Sequence, residues 1–146
     1  MDQNQQYIEV IKLIGLFQGL ETSLKFYIGA NYHYISEKVG KEIVFKYSFD
    51  DLDNASLERL LTIFAKFNDN SELQKRLKVL KEWRNLVAHK SLLLTSMSMP
   101  KELKAYALGY EDNPINFLEL NQELLECIQL LVSEMQSLNG LLTKPP

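Results

Sequence analysis

From Gln5 to about Val39 the apolar residues recur at helical spacing (Ile8, Ile11, Ile14 or Gly15, Leu20, Leu24, Tyr27 and Ile28), with Glu9, Lys12, Glu21 and Lys25 interleaved as solvent-side charges. A run of that length predicts one long or kinked helix, and a partner for its apolar side must come from the rest of the chain. Its "GLFQG" segment (Gly15, Gly19) matches the small-xxx-small spacing of close helix crossings, while Gln18, Glu21 and Lys25 keep it out of lipid. Close packing between helices is the expected use. In "GKEIVFKYSFDDLDNAS", Ile43, Phe45, Tyr47 and Phe49 alternate with other residues, which allows a short extended segment before an acidic turn.

Further helices are marked by start signals and periodicity. One is expected after Asp53 or Asn54, with Leu57, Leu60, Leu61, Phe64 and Phe67 facing inward and "NDN" closing it. The next has Ser71 followed three residues on by Gln74, the pattern of a capping box, with Glu72 at the positive end of the helix dipole, and should reach about Leu93. Pro100, Gly109 and Pro114 break up the connector beyond it, leaving room for a short helix near residues 101–108. Asn116 can cap a final helix, with Glu119 at the box position and Leu120, Leu124, Ile128, Leu131 and Met135 as its apolar stripe. The expected fold is all-α: an antiparallel up-down four-helix bundle with a short extra helix in the connector before the last helix. The 146 residues, 46% of them apolar, suffice for one domain spanning 1–146, with a frayed tail at 143–146.

Composition narrows the function. A net charge of −3 gives no general polyanion-binding signature, so any contact with nucleic acid must be local. One cysteine and two histidines offer neither an internal disulfide nor a zinc ligand set, and no cofactor or metal is expected. A polar N-terminus and the absence of a long apolar run lead us to expect a cytoplasmic protein with no membrane partner.

The informative stretch is "LKEWRNLVAHK", residues 80–90. On a wheel at roughly 100° per residue, Leu77, Leu80, Val87 and Ala88 fall within about 60° of Leu73, and Arg84 falls at about 20°, among them. A guanidinium there needs a partner or an open cleft. Asn85 and His89, four residues apart, are neighbours at about 120° and 160°, beside Lys78 and Lys81. Between Lys75 and Lys90, six Lys or Arg face Glu82 alone, a local +5 that leaves −8 elsewhere.

A cation, an amide able to orient an imidazole, and an imidazole able to move protons near neutral pH suit a phosphodiester. Arg84 would clamp the phosphate while His89 draws the proton from a ribose 2′-OH, with Lys78, Lys81 and Lys90 as further phosphate contacts. The reaction also wants an acid, which a second copy in a two-fold dimer would supply. The plain alternative has Arg84 snorkelling or paired with an acidic neighbour and His89 merely exposed.

"RNLVAHK", late in a helix of an all-helical chain, resembles the HEPN superfamily, whose signature is Arg, a polar residue often Asn, and His four to six residues after the Arg. The resemblance implies a metal-independent endoribonuclease, active as a homodimer with both motifs lining a shared cleft and often part of toxin–antitoxin or defence systems. Carried over residue by residue, Arg84 would bind the scissile phosphate, Asn85 would position catalytic groups and His89 would act as base or acid. RNA, a second copy and an antitoxin, of the nucleotidyltransferase kind or another, are the partners it implies. One branch carries a Tyr two positions beyond the His, where this chain has Ser91, so control by modification there does not transfer. Other members keep the fold as binding or scaffolding modules without catalysis.

The remaining candidates have ordinary readings. Tyr27, Tyr32, His33 and Tyr34 could stack bases but fit a core or an interface as well. Trp83 is expected to fix its helix against a neighbour, Cys127 to be an inert core thiol, and Asp50, Asp51 and Asp53 to serve helix capping.

Overall fold

The computed structural model describes residues 2–40, 42–95 and 115–142, and every regular element among them is a helix. These are α1 (Gln3–Lys38), α2 (Phe49–Asp53), α3 (Leu57–Phe67), α4 (Ser71–Thr95) and α5 (Phe117–Leu142). The expected connector helix near 101–108 and the tail at 143–146 lie outside the described residues. No helix among the described residues is long and apolar enough to cross a membrane.

Each start is fixed by a side chain that takes up an orphan N–H of the first turn. Asp2 Oδ1 accepts from Gln5 N at 2.8 Å, Ser56 Oγ from Arg59 N at 3.2 Å, and Asn116 Oδ1 from Glu119 N at 3.1 Å. The last is the expected cap. At α4 the cap is Asn70 rather than Ser71: Asn70 Oδ1 accepts from Leu73 N at 3.1 Å, and Ser71 is already helical. Gln74 does not close a box but reaches back to the Asn68 carbonyl at 2.6 Å. Asn70 wins because its own amide is anchored at 3.1 Å by Glu134 of α5, a partner 64 residues away that no local pattern reveals. At the other end of α1, Val39 N still reaches Ile35 O, and Gly40, with φ of 70°, turns the chain out of the helix.

The link from α1 to α3 decides the topology. Its non-helical stretch at 44–48 lies back along the helix it has just left. Phe45 and Tyr47 pack on Tyr32, Phe49 covers Gly29 so closely that a Cβ there would collide with its ring, and Lys25 Nζ donates to the Asp53 carbonyl. The stretch thus takes the place of a returning helix, and α3 starts beside the middle of α1. Tyr27 meets Phe64, and Tyr32 meets Phe67, so α1 and α3 run the same way. At this step the chain departs from the strict up-down alternation expected of it. Between α3 and α4 the direction reverses: Lys81 faces Glu58 near the start of α3, and Asn70 lies just past its end.

The core is one cluster. Leu13, Phe17, Leu20, Leu24 and Ile28 of α1 meet Leu60 and Phe64 of α3, Leu77, Leu80 and Val87 of α4, and Leu124, Cys127 and Leu131 of α5. The α1–α5 contact is the most extensive, and α5 supplies the apolar cover that the length of α1 demands.

Candidate functional site

Lys81 of α4 faces Glu58 in the first turn of α3, so α4 runs on past the start of that helix. Arg84 sits at that edge. Its place on the wheel puts it among core residues, yet its side chain is 44% exposed, because at its level the bundle opens into a notch rimmed by Ala55, Ser56 and Leu57. Arg84 Nε lies 3.5 Å from Glu21 Oε1 of α1, a long contact and its one ion pair among the described residues. A guanidinium at that angle needs a partner or an open cleft, and Arg84 has both at the α1–α4 seam, paired with an acidic neighbour as the plain alternative also has it.

Two hollows meet at Arg84. One, of about 160 Å³, brings Arg84 together with Asn85 and Lys81, opposite Glu21 and Glu58. The other, of about 340 Å³, runs between α1 and α4 with Phe17 and Val87 in its lining and Gln18, Glu21, Arg84 and Ser91 as polar members. His89 is exposed and lines neither hollow, and Asn85, one turn before it, is exposed as well. Within one chain the structure therefore joins Arg84, Asn85 and Lys81, while His89 stands outside on the solvent side of α4.

The lysines divide. Lys78 is exposed, beside a shallow depression shared by α3 and α4. Lys81 is a quarter exposed and faces Glu82 at 3.3 Å and Glu58 at 3.9 Å. Lys90, expected on the phosphate-binding surface, is buried, with only 7% of its surface exposed. Carboxylates from α1, α3, α4 and α5 meet much of the local +5: Lys75 faces Glu72, Arg76 faces Glu123 and Glu126, and Arg84 faces Glu21. Sequence distance hides this, since most of those partners lie tens of positions from their cations.

The strongest polar site among the described residues was not anticipated. Arg76 binds Glu123 in a fork, Nε at 2.7 Å and Nη2 at 2.8 Å, and Nη2 also reaches Glu126 at 2.6 Å. The guanidinium holds the Glu123 carboxyl below the usual carboxylate range, and the two acids in turn hold the Arg76 proton more tightly. Next to it Cys127 is buried, and burial pushes its thiol up to about 12, so it is an unreactive core thiol. A second network ties the α3–α4 turn down: Asn68 Nδ2 donates to Tyr27 Oη and Glu134 Oε2, both at 3.1 Å, and Tyr27 Oη lies 3.3 Å from the Phe67 carbonyl.

The aromatic and acidic candidates resolve into structure. Tyr27 is buried, Tyr32 is the hub of a ring cluster, and Tyr34 lies under Lys38, while His33 is exposed with Glu37 at 3.9 Å. Trp83 packs at the edge of the core, in a groove of about 530 Å³ between α4 and α5. Asp50 and Asp51 occupy the first turn of α2. Among the described residues no three His, Cys, Asp or Glu are grouped to hold a metal ion. No family model, curated protein or solved structure matches this chain.

Proposed function

We infer that the chain is a metal-independent endoribonuclease of HEPN type, working as a homodimer within a helical-bundle framework, in a toxin–antitoxin or defence setting. The observation that supports this best is the exposure of Arg84, Asn85 and His89 on one stretch of α4, with the guanidinium restrained among the described residues by one ion pair at 3.5 Å. A cation held so lightly is able to exchange a carboxylate for a phosphate.

In the reaction, Arg84 engages the non-bridging oxygens of the scissile phosphate and Asn85 orients the neighbouring groups. His89 takes the 2′-OH proton as the 2′-oxygen attacks phosphorus, the bond to the 5′-oxygen breaks, and a 2′,3′-cyclic phosphate forms. The departing 5′-oxygen takes its proton from an acid, the role assigned to His89 of a second copy. That assignment also accounts for a histidine outside its own chain's hollows.

Incubation of the purified protein with RNA in EDTA tests the reading. Cleavage leaving cyclic phosphate and 5′-hydroxyl ends, and lost in His89→Ala, is the expected result; equal cleavage by both proteins, or none by either, rejects it. A second reading draws on one observation, the carboxylates of Glu21 and Glu58 set against Arg84 and Lys81. It makes the chain a non-catalytic module for a protein partner or a nucleotide, which would show a thermal shift with nucleotide and no cleavage.

A further inference from the structure

The groove of about 530 Å³ between α4 and α5 takes no part in the nuclease reading, and its two walls differ in character. α4 lines it with Val79, Leu80 and Trp83, which share one face of the helix at spacings of three and four. By the same spacing α5 lines it with Glu119, Glu123 and Glu126, beside the buried Leu120. One wall is therefore apolar and aromatic, and the other carries a row of carboxylates.

The helices run in opposite directions here, since Asn70 reaches Glu134 while Arg76 reaches Glu123 and Glu126. Trp83 stands seven residues past Arg76, and Glu119 stands seven before Glu126. The register thus sets the indole and the Glu119 carboxylate at the same end of the groove, about two turns of helix from the Arg76 clamp.

The two ends differ electrically. At the clamp, Glu123 and Glu126 are occupied by the guanidinium at 2.6–2.8 Å. At the far end the backbone N–H of Glu119 donates to the Asn116 cap, but its carboxylate makes no ion pair among the described residues. Three carboxylates against one guanidinium repel an anion and attract a cation. Trp83 and Glu119 each have a local use, in packing and at the positive end of α5. Those uses leave Trp83 half-buried, the Glu119 carboxylate unpaired and Val79 56% exposed beside them.

We propose that the Trp83 end of this groove binds a small organic ammonium, one positive nitrogen on an aryl or alkyl body. The nitrogen lies between the indole and the Glu119 carboxylate, where a ring face and an anion both favour it. The hydrocarbon body covers Val79 and runs along Leu80, removing apolar surface from water. One positive nitrogen is enough, because Arg76 already occupies the other two acids and would repel a second. The volume falls within the about 300–1,000 Å³ usual for small-molecule sites. This site faces α5, whereas Arg84 opens at the α1 seam, and it does not rest on the nuclease reading.

Trp83 is the single tryptophan of the chain, so its fluorescence reports on the groove directly. The test titrates the full chain with phenethylammonium, and in parallel with phenethyl alcohol, of similar shape without the charge, and with phenylpropionate, of opposite charge. The ammonium should change the Trp83 emission saturably with a Kd on the order of 1 mM, the alcohol should bind about tenfold more weakly, and the carboxylate should not bind. Glu119→Gln should raise the Kd for the ammonium by about fivefold, and Val79→Lys, which puts a cation into the groove at an exposed position, by about tenfold or more. Glu72→Gln, an exposed acid of α4 outside the groove, should change nothing. No saturable change with the ammonium, equal binding of ammonium and alcohol, or a Kd unmoved in either Glu119→Gln or Val79→Lys overturns the proposal.

Discussion

Arg76 and Arg84 lie eight residues apart on α4, and their environments are opposites. Arg76 is fixed by three charge-assisted contacts of 2.6–2.8 Å to α5, and Arg84 by one of 3.5 Å to α1. The first half of α4 has α5 and the α3–α4 turn against it, so its cation finds carboxylates in fork geometry. The second half outruns α3, and its cation is left at an edge. Arg76 acts as a structural clamp, and Arg84 has the freedom that a phosphate-binding group requires.

The largest test of that contrast is catalytic. Under the nuclease reading Arg84→Ala and His89→Ala should each slow RNA cleavage by about 10²–10⁴-fold, while Arg76→Ala should leave the rate per folded molecule unchanged. Comparable losses at both arginines would erase the distinction.

Stability should rank the pair in reverse. Arg76→Ala leaves the two-thirds-covered Glu123 without its partner and should cost about 1–2 kcal/mol in urea unfolding, whereas Arg84→Ala should stay within about 1 kcal/mol of wild type. Equal costs would mean that the Glu21 contact is stronger than its length implies.

The clamp should also leave a signature in acid. Glu123 is held below its ordinary value when folded, so its contribution is fully present above the unfolded carboxylate value, about 4.3, and is lost as pH falls through the lower folded value. Unfolding free energy measured downward from neutral pH should therefore fall more steeply in wild type than in Arg76→Met. Parallel curves would mean that the clamp is no more favourable folded than unfolded.

Much of this was legible in the sequence, and the failures share a cause. The helical state of α1, the core face of α3 and the Asn116 cap come from periodicity and local chemistry, which act within a turn or two of helix, although Ile8 and Ile11, counted in the apolar pattern of α1, are about half exposed. Asn70 displaced Ser71 as the α4 cap because of Glu134, and Lys81, Arg76 and Arg84 are met by Glu58, Glu123 and Glu21, all distant in sequence. The wheel put Arg84 at a core angle correctly, but an angle does not say where the facing helix starts. Only the position of Leu57 beside the middle of α1, set by the aromatic return over Tyr32, opens the notch that exposes Arg84.

The smallest effect bears on the carboxylate facing the open arginine. Glu21→Gln keeps the shape and removes the charge, and since the contact is a single one to a half-exposed guanidinium it should alter stability by no more than about 0.5 kcal/mol. RNA binding should respond more visibly, because a phosphate at Arg84 no longer competes with an anion. Releasing a pair of about 0.2–1 kcal/mol corresponds to binding tighter by up to about fivefold, measurable with a labelled oligonucleotide on the His89→Ala background, where no cleavage intervenes. Weaker binding in Glu21→Gln would give the carboxylate the opposite role, aiming the guanidinium at the site, and Arg84 would then be as deliberately placed as Arg76, by a contact that tightens only around substrate.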